Sequence, residues 1–155
     1  MAIYGENVKV AVTAMMQLAT LDKNNVASLS TLSKNESLSV SFLEQLFSKL
    51  KQNNLVNSKR GINGGYFLQK SAHEITLFNI IEAVESSTKI TRCKKGSGGC
   101  LPGGHICSTH RLWRELERVN KIILNSISLK DLINGHAKDL SSIITISNLQ
   151  TGAKE

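Results

Sequence analysis

Cys93, Cys100 and Cys107 are the only cysteines in the sequence, and His110 follows the last of them in a Cys-x-x-His arrangement. Thiolates are soft ligands, and three of them with one imidazole suit zinc, copper(I) or an iron–sulfur cluster. Six residues separate each cysteine from the next, and the stretch from Cys93 to Cys107 holds five glycines and one proline. Structural zinc sites pair their ligands at spacings of roughly two to four residues, which neither cysteine gap has. A cluster of two or more irons is wider than a single ion. Its wrapping loop must be long and free to adopt positive φ, which glycine permits. The spacing favours an iron–sulfur cluster, with zinc or redox-active thiols as the alternatives. His110 stands at the start of a predicted helix, so a rigid element positions it. His105 competes as fourth ligand from the flexible part of the loop, whereas His73 and His136 carry no such signal.

A second constellation suits a polyanion. Lys49, Lys51, Lys59, Arg60 and Lys70 fall in one stretch, 49–70, that contains no acidic residue. Cations set along phosphates supply non-specific grip on DNA. Arg60 precedes the sequence GINGG, where a guanidinium could enter a minor groove while glycines such as Gly64 let the main chain approach phosphate. Ser41, Glu44 and Gln45 lie early on a predicted helix, at the end that reads major-groove edges in helix-turn-helix proteins. Glutamine suits adenine, glutamate accepts from the cytosine amine, and serine serves bases or phosphates. Singly, each is an ordinary solvated residue. Together, with a basic hairpin following directly, they point to double-stranded DNA.

Positioning these groups needs a scaffold, and the apolar periodicity supplies one. Val8, Ala11, Val12, Met15, Leu18 and Ala19 recur at helical spacing over Val8 to Leu21. After a polar connection at 22–27, Leu29 to Glu36 reads as a short helix with Ser28 or Ser30 as its N-cap. A turn at Ser37 and Leu38 leads to Ser39, which caps a helix to about Asn53 striped by Phe42, Leu43, Leu46, Phe47 and Leu50. Ser41, Glu44, Gln45, Ser48 and Lys49 then face outward. A hairpin follows at 55–70, with Leu55 and Val56 opening one strand and Tyr66, Phe67 and Leu68 forming the return. Thr76 caps a helix whose Leu77, Ile80, Ile81 and Val84 point inward. Beyond the cysteine loop, a long helix over 109–127 carries Leu112, Leu116, Val119 and Ile123 on one stripe, wide enough to meet both its own domain and a partner helix. Ser128 and Asp131 form a capping box for a last short helix. The sequence predicts a mainly α protein: a winged helix-turn-helix (28–53, wing 55–70), a cysteine-rich cluster loop (93–110) and a long dimerisation helix, in one domain over 2–131. The tail 134–155 is expected to be partly disordered.

Composition fits that reading. The chain has 155 residues, 41% of them hydrophobic, and a net charge of +7, a basic balance that favours nucleic acid over other partners. It contains no apolar run of membrane-spanning length. Its first residues lack the layout of a secretory signal, so a cytoplasmic location with reduced thiols is expected.

These residues resemble a known family: the iron–sulfur-responsive winged-helix regulators of the IscR type, which also include NsrR and RirA. The likeness spans about residues 2–133 and is specific at KVAVTAM, SVSFLEQLFSKLKQNNLV, RGINGGYFL and CSTHRLWREL. It implies a homodimer with crossed long helices, reading partly palindromic promoter sites and receiving its cluster from the iron–sulfur assembly machinery. By position it implies base reading by Ser41, Glu44 and Gln45, and a minor-groove role for Arg60. It also implies a 2Fe–2S cluster on Cys93, Cys100, Cys107 and His110. The Cys-x-x-His ending resembles the IscR type more than its relatives. In this sequence each cysteine gap is one residue longer than is usual for that type.

Three functional classes follow. The leading one is a DNA-binding regulator of iron–sulfur cluster assembly genes, acting as repressor or activator, with a nitric-oxide- or iron-responsive regulator as its near variant. The second is a DNA-binding protein with structural zinc or oxidant-sensing thiols. The third is an enzyme using the cysteine loop. Nothing in the sequence resembles a phosphate loop, hydrolase elbow or paired-carboxylate site, so no enzyme is expected.

Overall fold

The structure, a computed structural model, describes residues 4–21, 26–36, 39–85, 101 and 105–135. Cys93, Cys100, the turn at Ser37 and Leu38, and the tail beyond Gly135 lie outside these residues. The described elements run α1 (Glu6–Thr20), α2 (Leu29–Glu36), α3 (Val40–Gln52), β1 (Val56–Lys59), β2 (Gly65–Leu68), α4 (Leu77–Val84), α5 (His110–Ser126) and α6 (Leu129–Ile133). The fold is mainly helical, with one two-stranded antiparallel sheet pairing Val56 with Leu68 and Lys59 with Gly65.

Local chemistry sets most of the helix starts. Ser39 accepts from the amide of Phe42, Thr76 from Asn79 and Ser128 from Asp131, satisfying amides that the first helical turn leaves open. The last two are full capping boxes, with the third residue's side chain returning the bond. Ser28 does the same for the amide of Thr31. At its other end α3 stops on Asn54, whose φ of +57° is left-handed, and the amide of Leu55 reaches back to the carbonyl of Leu50. Asparagine is among the few residues that accept this conformation at little cost.

The core is a stack on α1. Ala11, Met15, Leu43, Phe47, Leu50, Val56, Ile75, Ile80, Ile81, Val84 and Leu129 are all essentially inaccessible, and α1 packs against α4, α6 and β2. Truncating a fully buried phenylalanine such as Phe47 costs about 3–5 kcal/mol. Phe78 of α4 and Leu124 of α5 join the core as well; neither belongs to the stripes read from the sequence.

Two short bridges tie distant elements together. Ala27, just ahead of α2, exchanges both backbone bonds with Tyr66 of β2 at 3.0 and 2.8 Å. The ring of Tyr66 meets Phe47 of α3 edge-on, with centroids 4.8 Å apart. Further along, Leu77 donates to Ile127 and Leu129 to Ile75, both at 2.8 Å, closing the chain after α5 onto the start of α4.

Candidate DNA-reading surface and metal centre

Helix α3 follows α2 and buries Leu43, Leu46, Phe47 and Leu50. That anchorage turns the other face outward, and Ser41, Glu44, Gln45 and Ser48 are exposed, as the stripe predicts. The residues expected to read bases thus stand on a helix anchored by four buried side chains.

The cations of 49–70 do not act as one patch. Lys49 is exposed, but its ammonium donates to the carbonyl of Val84 at 3.0 Å. This departs from the expected phosphate-facing role. The last carbonyls of α4 have no helical partner, and a lysine head is a natural cap for them. Lys51 donates to the hydroxyl of Ser58 at 2.7 Å, tying α3 to the wing. Lys70 lies near Glu74, whose carboxyl is held below the ordinary carboxylate range by bonds from the Ser71 hydroxyl and amide, with Lys70 adding to the effect. Lys59 and Arg60, both exposed at the end of β1, remain outward.

Between the strands the wing turns through Gly61, at φ +118°, and Gly64, whose amide donates to the carbonyl of Gly61 at 2.9 Å. A Cβ on Gly64 would collide with the carbonyl of Lys59. Gly64 is therefore needed to close the turn that carries Arg60, an observation independent of any approach to phosphate. Ile62 at the tip is fully exposed.

Helix α5 begins at His110. The amide of His110 bonds the carbonyl of Cys107 at 3.0 Å, so both candidate ligands sit on one turn, each half-buried. His105 is exposed, and its carbonyl accepts from the amide of Leu101 at 3.1 Å. Among the described residues no three histidine, cysteine or acidic side chains gather closely enough to hold a metal ion; Cys93 and Cys100 lie outside them. The sulfur of Cys107 is 3.8 Å from the hydroxyl of Thr109. That hydroxyl accepts from the indole nitrogen of Trp113 at 3.1 Å. Thr109 occupies the N-cap of α5 yet makes no capping bond. Sequence reasoning gave neither Thr109 nor Trp113 a part in the site.

The remainder of α5 is strongly two-sided. Leu112 and Leu116 are 55% and 42% exposed, Val119 and Ile123 are half-buried, and Leu124 is the buried residue that meets the core. Lys121 covers the ring of Phe78, and Asn120 bonds the hydroxyl of Tyr4. No described helix is long and apolar enough to cross a membrane.

Comparison with known proteins gives a consistent result. Residues 4–135 match the family described as Rrf2, iron-dependent transcriptional regulator. The chain is 45% identical over 124 residues to the HTH-type transcriptional regulator IscR of Klebsiella pneumoniae (strain 342), covering 80% of this chain and 75% of that protein. Among solved structures, it is similar to CymR, the global cysteine regulator of B. subtilis, with TM-score 0.71 and 28% identity over 86% of this chain and 98% of that one. T. potens IscR is similar at TM-score 0.67 and 27% identity, covering 84% and 85% of the two chains.

Proposed function

The chain belongs to the Rrf2 family of transcriptional regulators, and from that premise we propose that it is a DNA-binding sensor of iron–sulfur status controlling cluster assembly genes. The observation that carries the reading is the joint placement of two half-buried donors, Cys107 and His110, on one turn at the head of α5. The same chain turns Ser41, Glu44 and Gln45 of α3 outward, so a regulator could sense through this turn and read DNA through that face.

The donor chemistry fits a 2Fe–2S cluster. Cys107 and His110 would hold it together with Cys93 and Cys100, three thiolates and an imidazole reached by glycine-rich spacers. When bound, the cluster supplies a redox-responsive centre. The chain's own part is to set Cys107 and His110 at the head of α5. His110 is favoured over His105 because its backbone is pinned to that of Cys107.

The exposed Leu112 and Leu116 support a homodimer built on α5, about 25 Å of helix by its length. A two-fold pair places two copies of α3 and the wing on a partly palindromic promoter site. In this reading the protein works in the cytoplasm without membrane contact, and the iron–sulfur assembly machinery donates the cluster.

Anaerobic purification tests the proposal. The protein should be red-brown, and its affinity for promoter fragments upstream of cluster assembly genes should change with cluster content. Cys93→Ala, Cys100→Ala or Cys107→Ala should remove the colour after reconstitution, and His110→Ala should weaken it. A colourless parent that retains zinc overturns the reading. Colour lost in His105→Ala but kept in His110→Ala reassigns the fourth ligand.

A further inference from the structure

Four of the described helices start on a serine or threonine that caps its own first turn: Ser28, Ser39, Thr76 and Ser128. Thr109 stands at the same position of α5 and does not. The difference lies in the backbone. Ser39, Thr76 and Ser128 are extended, with ψ between 139° and 159°, the conformation that swings an N-cap oxygen over the exposed amides. Thr109 has φ −96° and ψ 4°, in the sparsely populated bridge region where functional residues recur. Its hydroxyl is carried away from the amides and meets Cys107 and Trp113 instead. Thr109 thereby forgoes a bond worth about 1 kcal/mol to a typical helix.

The donor inventory fixes the direction of this small network. An indole nitrogen is a donor only, so Trp113 must give its proton to the Thr109 oxygen, 3.1 Å away. The hydroxyl proton is then left for another acceptor. A sulfur that ligates metal is a thiolate without a proton of its own, so across the 3.8 Å gap between Cys107 and Thr109 the hydroxyl must be the donor. Trp113 lies one turn into α5, which lets a rigid helix hold the hydroxyl in place.

We propose that Thr109 and Trp113 form a positioning relay, indole to hydroxyl to sulfur, that withdraws electron density from the Cys107 thiolate and tunes the metal centre it helps to hold. The inference rests on the ligand role of Cys107 proposed above. Hydrogen bonds to ligating sulfur are among the protein's levers on cluster potential, and partners of this outer kind commonly affect metal affinity about 10-fold or more. A donor stabilises the more electron-rich, reduced state, so the relay raises the reduction potential.

The test uses the full chain with two loads, the reconstituted cluster and cobalt(II) alone. Thr109→Val removes the hydroxyl at nearly constant shape. It should lower the cluster's midpoint potential and move the sulfur-to-cobalt charge-transfer band to lower energy. Thr109→Ser should restore both. Trp113→Phe should shift potential and band in the same direction by a smaller amount, because the hydroxyl stays but loses its orientation. A merely structural role would move the melting temperature without moving the band. If the cluster forms and the Thr109→Val potential and band match the parent, the relay is wrong. If only cobalt binds and the band shifts as stated, the relay stands and the 2Fe–2S reading falls. If neither load binds the parent, both fall.

Discussion

The ammonium of Lys49 donates to the carbonyl oxygen of Val84 across 3.0 Å, joining the reading helix α3 to the final residue of α4. Beyond Val84 the chain runs toward Cys93. The face of α3 proposed to read DNA is therefore fastened to the element from which the cysteine segment departs. Lys49→Met keeps the apolar stem and removes the bond. Stability should fall by about 1 kcal/mol, and the ratio of DNA affinities with and without cluster should move toward one. Fluorescence anisotropy on a promoter fragment measures that ratio, and a parental value in the variant would show that the bond transmits nothing.

Arg60 and Lys59 should separate by their salt dependence. Both are exposed at the end of β1, but only a minor-groove arginine adds recognition of shape to charge. Arg60→Ala should cost on the order of 1–3 kcal/mol at a specific site and much less at random sequence. Lys59→Ala should weaken both kinds of site alike and reduce the salt slope by about 1, the signature of one phosphate no longer neutralised. Equal losses in the two variants at both sites would make Arg60 a phosphate contact only.

Leu112 and Leu116 face away from the core, so changing them should leave the protomer intact. Leu112→Asp combined with Leu116→Asp should give a monomer by sedimentation, with a helical circular dichroism signal like the parent's. Binding to a full palindrome should drop far more than binding to a half-site. A variant that stays dimeric would move the interface off this face of α5.

Glu44 is an exposed anion on the surface proposed to face DNA, itself an anion. Opposite a cytosine amine it is paired, and elsewhere it is desolvated and repelled, which penalises the wrong site. If cluster binding decides whether that pairing is reached, Glu44→Ala should let cluster-free protein recover binding at the cluster-dependent sites. Gel-shift titration of both states is the measurement. A variant as weak as its cluster-free parent would remove Glu44 from this role.

Much of the architecture is legible in the sequence because it is decided locally. Ser39, Thr76 and Ser128 are recognisable as caps because a cap is settled within about four residues. The stripe of α3 defines its outward face in the same way. Other features depend on distant neighbours. Lys49 looks like one more phosphate-facing cation, since nothing nearby announces a carbonyl 35 residues away. The α5 stripe is plain, but periodicity does not say whether a face meets its own core or another molecule. Leu124 and Phe78 make the internal contact while Leu112 and Leu116 stay exposed. Thr109 reads as an ordinary helix start, and only its ψ of 4° reveals otherwise. Cys93 and Cys100 carry the strongest chemical signal in the chain and lie outside the described residues.

The paired backbone bonds between Ala27 and Tyr66 have a consequence for the DNA itself. Because Ala27, just ahead of α2, is stitched to the wing, and Tyr66 is braced on Phe47 of α3, α3 and the wing are held at a set spacing, like the jaws of a calliper. One jaw is α3, the other Arg60. With α3 and Arg60 as the two proposed contacts, a duplex whose grooves are spaced a little off that gauge has to bend or twist to fit. Its stiffness at base pairs the protein never touches then becomes part of the address. Stiff steps between the two contacts, such as A-tracts of the wrong curvature, should be rejected, and easily kinked pyrimidine–purine steps admitted.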